Sequence, residues 1–170
     1  MTTPQTVVVT YIAATAEQVW QALTDPVQSV KYFFGRRVES DWQVGSPFVL
    51  RMDDGKVDSQ GVVLAAEPPY RLSVTWRVEW LEAFRQLPEV VVTWQIDALG
   101  DEAVRLTVSE LHQEPLDEQI LQGGRNGWPL ILAGLKTLLE TGRQLNVEAP
   151  RPPPAPSAQS PSSSPAAQGQ

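Results

Sequence analysis

The sequence predicts an α+β domain in which a curved antiparallel sheet wraps around one long C-terminal helix. Three observations carry that expectation. Segments between Val7 and Glu110 alternate apolar and polar residues at the two-residue period of half-buried strands. Short turn signals separate them, which implies antiparallel neighbours. Gly127–Arg143 instead places Trp128, Ile131, Leu132, Leu135, Leu138 and Leu139 at three- and four-residue steps, one broad apolar stripe on a helix. Helices kept apart from a run of strands belong on one side of the sheet.

Val7–Ile12 is β-branched and aromatic, and opens the fold as a strand. Thr15-Ala16-Glu17-Gln18 has the spacing of a capping box, and Ala16, Val19, Trp20 and Leu23 follow at helical steps. Asp25-Pro26 ends that helix and starts a second short one, because proline suits the first helical position. Tyr32-Phe33-Phe34-Gly35 closes the pair. Arg37–Asp41 is a short strand, and Gly45-Ser46-Pro47 is a turn. Phe48, Leu50 and Met52 share the buried face of the next strand. Asp53-Asp54-Gly55-Lys56 is a hairpin signal, and Val57–Ala66 returns from it, with Gly61 a candidate bulge. After Pro68-Pro69-Tyr70, Leu72, Val74, Trp76 and Val78 face inward. Residues 80–88 break the alternation and are rich in apolar groups for a loop. Val90, Val92, Trp94 and Ile96 resume a strand face; Val104, Leu106, Val108 and Glu110 form the last one. Residues 114–122 suit a helical lead-in before a break at Gly123-Gly124. The principal helix then starts near Gly127-Trp128, with Pro129 in its first turn, and stops at Gly142.

A chain of 170 residues is long enough for one domain with a sizeable core and short for two. The ordered domain is expected over 1–145, and 146–170 is expected to be a disordered Pro/Ser-rich tail. Residues 150–170 hold seven prolines and five serines with almost nothing to bury. No apolar run is long enough to span a membrane, and the N-terminus lacks the pattern of a secretory signal. Cysteine is absent, which removes disulfides, thiolate nucleophiles and cysteine metal sites. The expected location is the cytoplasm. Thirteen basic and 20 acidic residues give a net charge of −7. Such a domain repels phosphate backbones, so neither nucleic acid nor an anionic membrane is an expected partner.

Four segments carry a family resemblance: Ala14–Pro26, Asp41–Phe48, Gly61–Trp76 with its Pro-Pro-Tyr-Arg-Leu-Ser-Val-Thr-Trp ending, and Gly127–Gly142 with Gly-Trp-Pro. In this order they resemble the SRPBCC (START-like, helix-grip) superfamily, most closely homologues of the heat-shock protein 90 ATPase activator. The resemblance implies about seven antiparallel strands gripping the C-terminal helix, with a hydrophobic cavity between. Members bind lipids, hormones or polyketides, some cyclise or hydrate them, and the namesake stimulates a chaperone ATPase. The eukaryotic namesake also has an N-terminal domain that contributes to its chaperone contact; nothing in this sequence corresponds to it. Family membership implies architecture more directly than activity.

Nothing in the sequence spells a catalytic motif. His112 is the only histidine and has neither metal-ligand companions nor a triad. As a strand-end residue it reads as a surface or loop group; as a base it has Glu110 and Glu114 two residues to either side. Gly123-Gly124-Arg125-Asn126-Gly127 lacks the Lys-Ser/Thr of a phosphate loop, and its glycines suit close helix–sheet approach. The inward aromatics are more informative. Trp20, Phe48, Trp76, Trp94 and Trp128, with Leu50, Leu106, Ile131 and Leu135, either fill a core or line an apolar site. Glu110 is the candidate polar anchor, unless it emerges at the sheet rim in water. Trp80, Leu81, Phe84 and Leu87 form an apolar cluster suited to a pocket lid or to a contact with a second copy of the chain. The leading expectation is non-covalent binding of a small hydrophobic molecule between sheet and helix, with no metal or cofactor. The alternatives are a chaperone-associated interaction protein and a polyketide-cyclase or hydratase-like enzyme that positions its substrate with Glu110 or His112.

Overall fold

The computed structural model describes residues 5–151. Seven strands form one antiparallel sheet: β1 (Gln5–Ile12), β2 (Arg37–Glu39), β3 (Pro47–Arg51), β4 (Val57–Glu67), β5 (Arg71–Val78), β6 (Val90–Ala98) and β7 (Val104–Leu111). Their spatial order is β1-β7-β6-β5-β4-β3-β2. Strands two to seven run as a meander, while β1 pairs beside β7 at the far edge, Val8 opposite Val108. Two short helices, α1 (Ala16–Thr24) and α2 (Pro26–Tyr32), follow β1, and a single turn, α3 (Glu82–Arg85), sits between β5 and β6. The long helix α4 spans Glu118–Thr141. This is the α+β helix-grip arrangement.

Local chemistry sets the helix ends. Gln18 N–H donates to Thr15 Oγ1 (3.2 Å) and Thr15 N–H donates to Gln18 Oε1 (2.9 Å), so the capping box closes in both directions. Asp25 Oδ1 accepts from Val27 N–H at 2.8 Å ahead of Pro26. At the far end of α4, Gly142 takes φ 72° and donates its N–H to the Leu138 carbonyl, a left-handed cap that other residues adopt only under strain.

Two details differ from the sequence expectation. Helix α4 begins nine residues earlier than Gly127, capped by Asp117 Oδ1, which accepts from Gln119 N–H at 2.9 Å. It continues through Gly123, Gly124, Gly127 and Pro129. Glycine lowers helix propensity without forbidding the conformation, and packing against the sheet overrides the local preference. Pro129, now inside the helix, supplies no N–H to the carbonyl one turn back. Gly61 is not the bulge. The register of β4 against β5 shifts between Val63 and Ala65, whereas Gly61 faces the backbone of Thr75 so closely that a Cβ would fall 1.8 Å from the Thr75 carbonyl oxygen.

The core lies between the concave face of the sheet and α1, α2 and α4. Ile12, Val74, Val92, Val104, Leu106 and Leu135 are all at most 1% exposed. Each such side chain contributes about 1.5–3 kcal/mol relative to exposure. From residue 152 onward, the stretch expected to be a disordered tail lies outside the described residues.

Candidate functional site

A cavity of about 270 Å³ opens between the sheet and the first half of α4. Trp76 and Val78 of β5, Val90 of β6, Glu110 of β7 and the adjoining His112 form its sheet wall. Ile120, Gly123, Gly124, Gly127, Trp128 and Ile131 form its helix wall. Phe33 and Phe34 come from the end of α2, and Trp80, Leu81, Phe84, Leu87 and Pro88 cover it from the α3 segment. Ala149, Pro150 and Arg151 also line it, brought back across the cavity beyond the end of α4.

The aromatic wall is built by alternation. Trp76 faces inward from β5 and stacks on Phe33, with ring centroids 5.9 Å apart and planes 21° from parallel. Trp128 meets Phe33, Trp76 and Trp94 edge-on at 5.8–5.9 Å. Such pairs add about 0.5–1.5 kcal/mol beyond area burial and hold the rings in fixed orientations.

The polar corner is small. Trp128 Nε1–H donates to Glu110 Oε2 at 2.8 Å, tying α4 to β7. Only 14% of the Glu110 side chain is exposed. Gly124 permits this approach: a Cβ there would sit 2.8 Å from Glu110 Oε1. His112 Nε2 lies 2.8 Å from the same oxygen, although outside hydrogen-bonding geometry, and neither ring nitrogen has a hydrogen-bond partner. Thr6, in register opposite Glu110, is also buried with an unpartnered hydroxyl. Two arginines of the wall are held in ion pairs. Arg36 pairs with Asp58 at 2.8 Å, and Arg77 pairs with Glu79 at 2.7 Å. Hydrogen bonds from Gln60 and Arg77 hold the Glu79 carboxyl below the usual carboxylate range. Among the described residues no three His, Asp or Glu side chains converge on a metal-sized site, and no helix is long and apolar enough to cross a membrane.

Of the ten residues singled out from the sequence, Leu50, Trp76, Glu110, Trp128 and Ile131 line this cavity. Phe48 and Trp94 sit deeper, around a crevice of only about 10 Å³. Leu106 and Leu135 are fully buried in the core, and Trp20 packs against it, partly buried, from α1. The expected apolar cluster at Trp80, Leu81, Phe84 and Leu87 covers the cavity. Phe33 was not expected at the site, and His112, expected as a surface or loop group unless the protein is an enzyme, is instead buried at 4% exposure. For His112 a signal existed: it continues the inward parity of Val104, Leu106, Val108 and Glu110 one step beyond the strand. Phe33 follows a helix whose short length leaves its direction unreadable from spacing.

A family model described as Activator of Hsp90 ATPase homolog 1-like protein matches residues 13–140. The chain belongs to this family. The match runs from the β1–α1 junction to the last turn of α4, so it includes both walls of the cavity. Among solved structures, the chain is similar to the Mesorhizobium loti protein MLL2253, with 28% identity, a TM-score of 0.68, and coverage of 80% of this chain and 96% of that one. It shares its fold with an HSP90 activator from Plasmodium falciparum, at 18% identity and a TM-score of 0.64, covering 79% and 95% of the two chains. The Aha1 dimer from Colwellia psychrerythraea is a further fold relative at 17% identity and a TM-score of 0.64, covering 82% and 98%. Among curated proteins no relative matches the chain.

Proposed function

We propose that this member of the family binds a small, mostly apolar molecule, non-covalently, in the cavity between the sheet and the first half of α4. The observation that carries the reading is a space of about 270 Å³ walled by Phe33, Trp76 and Trp128 beside one polar corner. Apolar walls with few convergent polar groups are the usual make-up of a ligand site, and this one lies just below the common size range. The absence of cysteine from the sequence suits a cytoplasmic setting for this role.

The test uses N-phenyl-1-naphthylamine, a neutral probe that brightens in apolar surroundings. Its fluorescence should saturate at one probe per chain. Gly127→Leu fills the cavity from the helix side, where an added Cβ meets nothing within 4 Å. It should weaken binding by about 10-fold or more while the chain stays folded. Absence of saturable binding, or binding indifferent to Gly127→Leu, refutes the proposal.

A second reading is contact with a chaperone ATPase, the activity in the family's description. An apolar strip on the outer sheet face favours it: Val7, Val9, Tyr11 and Leu111 are 41–57% exposed on adjoining strands. Stimulation of an Hsp90-class ATPase, lost on replacing Val7 and Val9 with Glu, is its expected result. No stimulation by the unaltered chain removes it.

A further inference from the structure

Two segments cover the cavity without belonging to the sheet or to α4, and they are held differently. Residues 80–88 are tied to β5 and β6 at either end, and Arg85 Nε donates to the Glu79 carbonyl. Phe84 N–H also donates to the Leu81 carbonyl at 2.9 Å, closing the turn. The second segment returns after the Gly142 cap and places Ala149, Pro150 and Arg151 against the cavity. Its hydrogen bond runs within the segment, from Val147 N–H to the Leu145 carbonyl at 3.1 Å. Among the described residues, no hydrogen bond or ion pair joins 144–151 to the rest of the domain. Apolar contact is what keeps it there, with Pro150 half-buried and both its neighbours exposed.

We propose that residues 149–151 act as a strap that opens to admit the cavity's ligand and then closes over it, strap and ligand occupying the site together. This rests on the cavity binding a small apolar molecule, and adds how that molecule enters and is retained. Opening breaks no hydrogen bond to the domain, so it belongs to the low-energy end of local motions. Closing loses little freedom. The ring fixes one backbone angle at Pro150, and Pro150 and Pro152 each confine the residue before them to extended backbone. Reach is sufficient too: from Gly142 back to the level of Ile131 is about 16 Å of helix rise, and residues 142–150 span about 27 Å when extended. The strap covers the space rather than filling it, since about 270 Å³ stays open with 149–151 in place. A molecule held there gains apolar contact from Pro150 instead of competing with it, and its binding shifts the strap toward the closed position.

Two variants of the full chain test this with N-phenyl-1-naphthylamine as the bound probe. Pro150→Asp sets a charge against the apolar rim and should hold the strap off. Stopped-flow release of the probe should then be about 10-fold faster than from the unaltered chain, with the unfolding midpoint unmoved. Pro150→Cys gives a chain without cysteine its only thiol, so alkylation by iodoacetamide reports this one position. Saturation with the probe should slow that alkylation by about 3-fold or more, as the strap closes over the occupied cavity. Release indifferent to Pro150→Asp overturns the strap and leaves the cavity reading intact. Alkylation unchanged by the probe does the same, and faster alkylation, the mark of a strap expelled by the ligand, overturns joint occupancy. Absence of saturable probe binding to the unaltered chain overturns the cavity reading and the strap together.

Discussion

The two halves of α4 meet the same sheet in opposite ways. From Leu132 onward the helix packs without bordering that cavity: Leu132 and Leu135 are buried, and Glu140 Oε2 accepts from Ala13 N–H at 3.2 Å, fastening the helix to the end of β1. Ahead of Trp128, residues 123–127 read Gly-Gly-Arg-Asn-Gly, and the helix leaves space against β5 and β7. The difference is one of side-chain volume on a continuous backbone. Large residues turned toward the sheet make core; glycines turned toward it make a cavity, because the rigid sheet and the packed second half keep the first half from collapsing inward. A binding site is obtained here by leaving side chains out.

The largest expected contrast is energetic. Leu135→Ala, at a fully buried position, should cost about 2–5 kcal/mol in urea unfolding. A loss below about 1 kcal/mol would break the distinction between a filled half and a gapped one. Next comes local opening. Three glycines and Pro129 weaken the first half by about 1 kcal/mol for each glycine and more for the proline. Amides over 119–127 should therefore exchange about 100-fold faster than those over 131–139. Uniform protection along α4 would show that its first half is not the softer wall.

Smaller effects sharpen the comparison at single glycines. Gly127→Ala should stabilise the chain by about 0.5–1 kcal/mol, since an added Cβ meets open space. Gly124→Ala should do the opposite. Its Cβ pushes against the Glu110 carboxylate, and loss of the charge-assisted bond from Trp128 outweighs the propensity gain, for a net cost of about 1 kcal/mol. Equal shifts in unfolding midpoint would mean that α4 does not pass Glu110 this closely.

The smallest effect concerns the anchor of the packed half. Hydrogen bonds from Lys136 and then Ala13 N–H hold the Glu140 carboxyl below its usual range. A carboxyl whose folded pKa is lowered stabilises the fold above its ordinary pKa, and that contribution fades as pH falls through the lowered value. Glu140→Gln should therefore cost about 0.5 kcal/mol at pH 7, and the gap from the unaltered chain should close as pH falls through that lowered value. A gap that persists in acid would assign the effect to packing instead.

Patterns confined to neighbouring residues were legible in advance. Strand alternation, the Thr15–Gln18 capping box, the Asp25-Pro26 helix start and the Gly142 cap each depend on local spacing, and each stands where the sequence put it. The inward parity of Trp76, Glu110 and Trp128 was legible as well. What spacing misjudged was the start of α4, because glycine and proline read as a break where contact with the sheet holds the helix together.

The sequence by itself determined which faces are apolar and where most elements begin and end, because side-chain period and capping chemistry act over a few residues. Only the tertiary structure decided which inward residues fill the core and which border empty space. Leu135 and Trp128 carry the same signal, yet one is sealed in the core and the other looks onto a cavity. That outcome depends on the separation of two surfaces distant in the chain, and on the glycines beside Trp128, neither of which a hydrophobic period encodes.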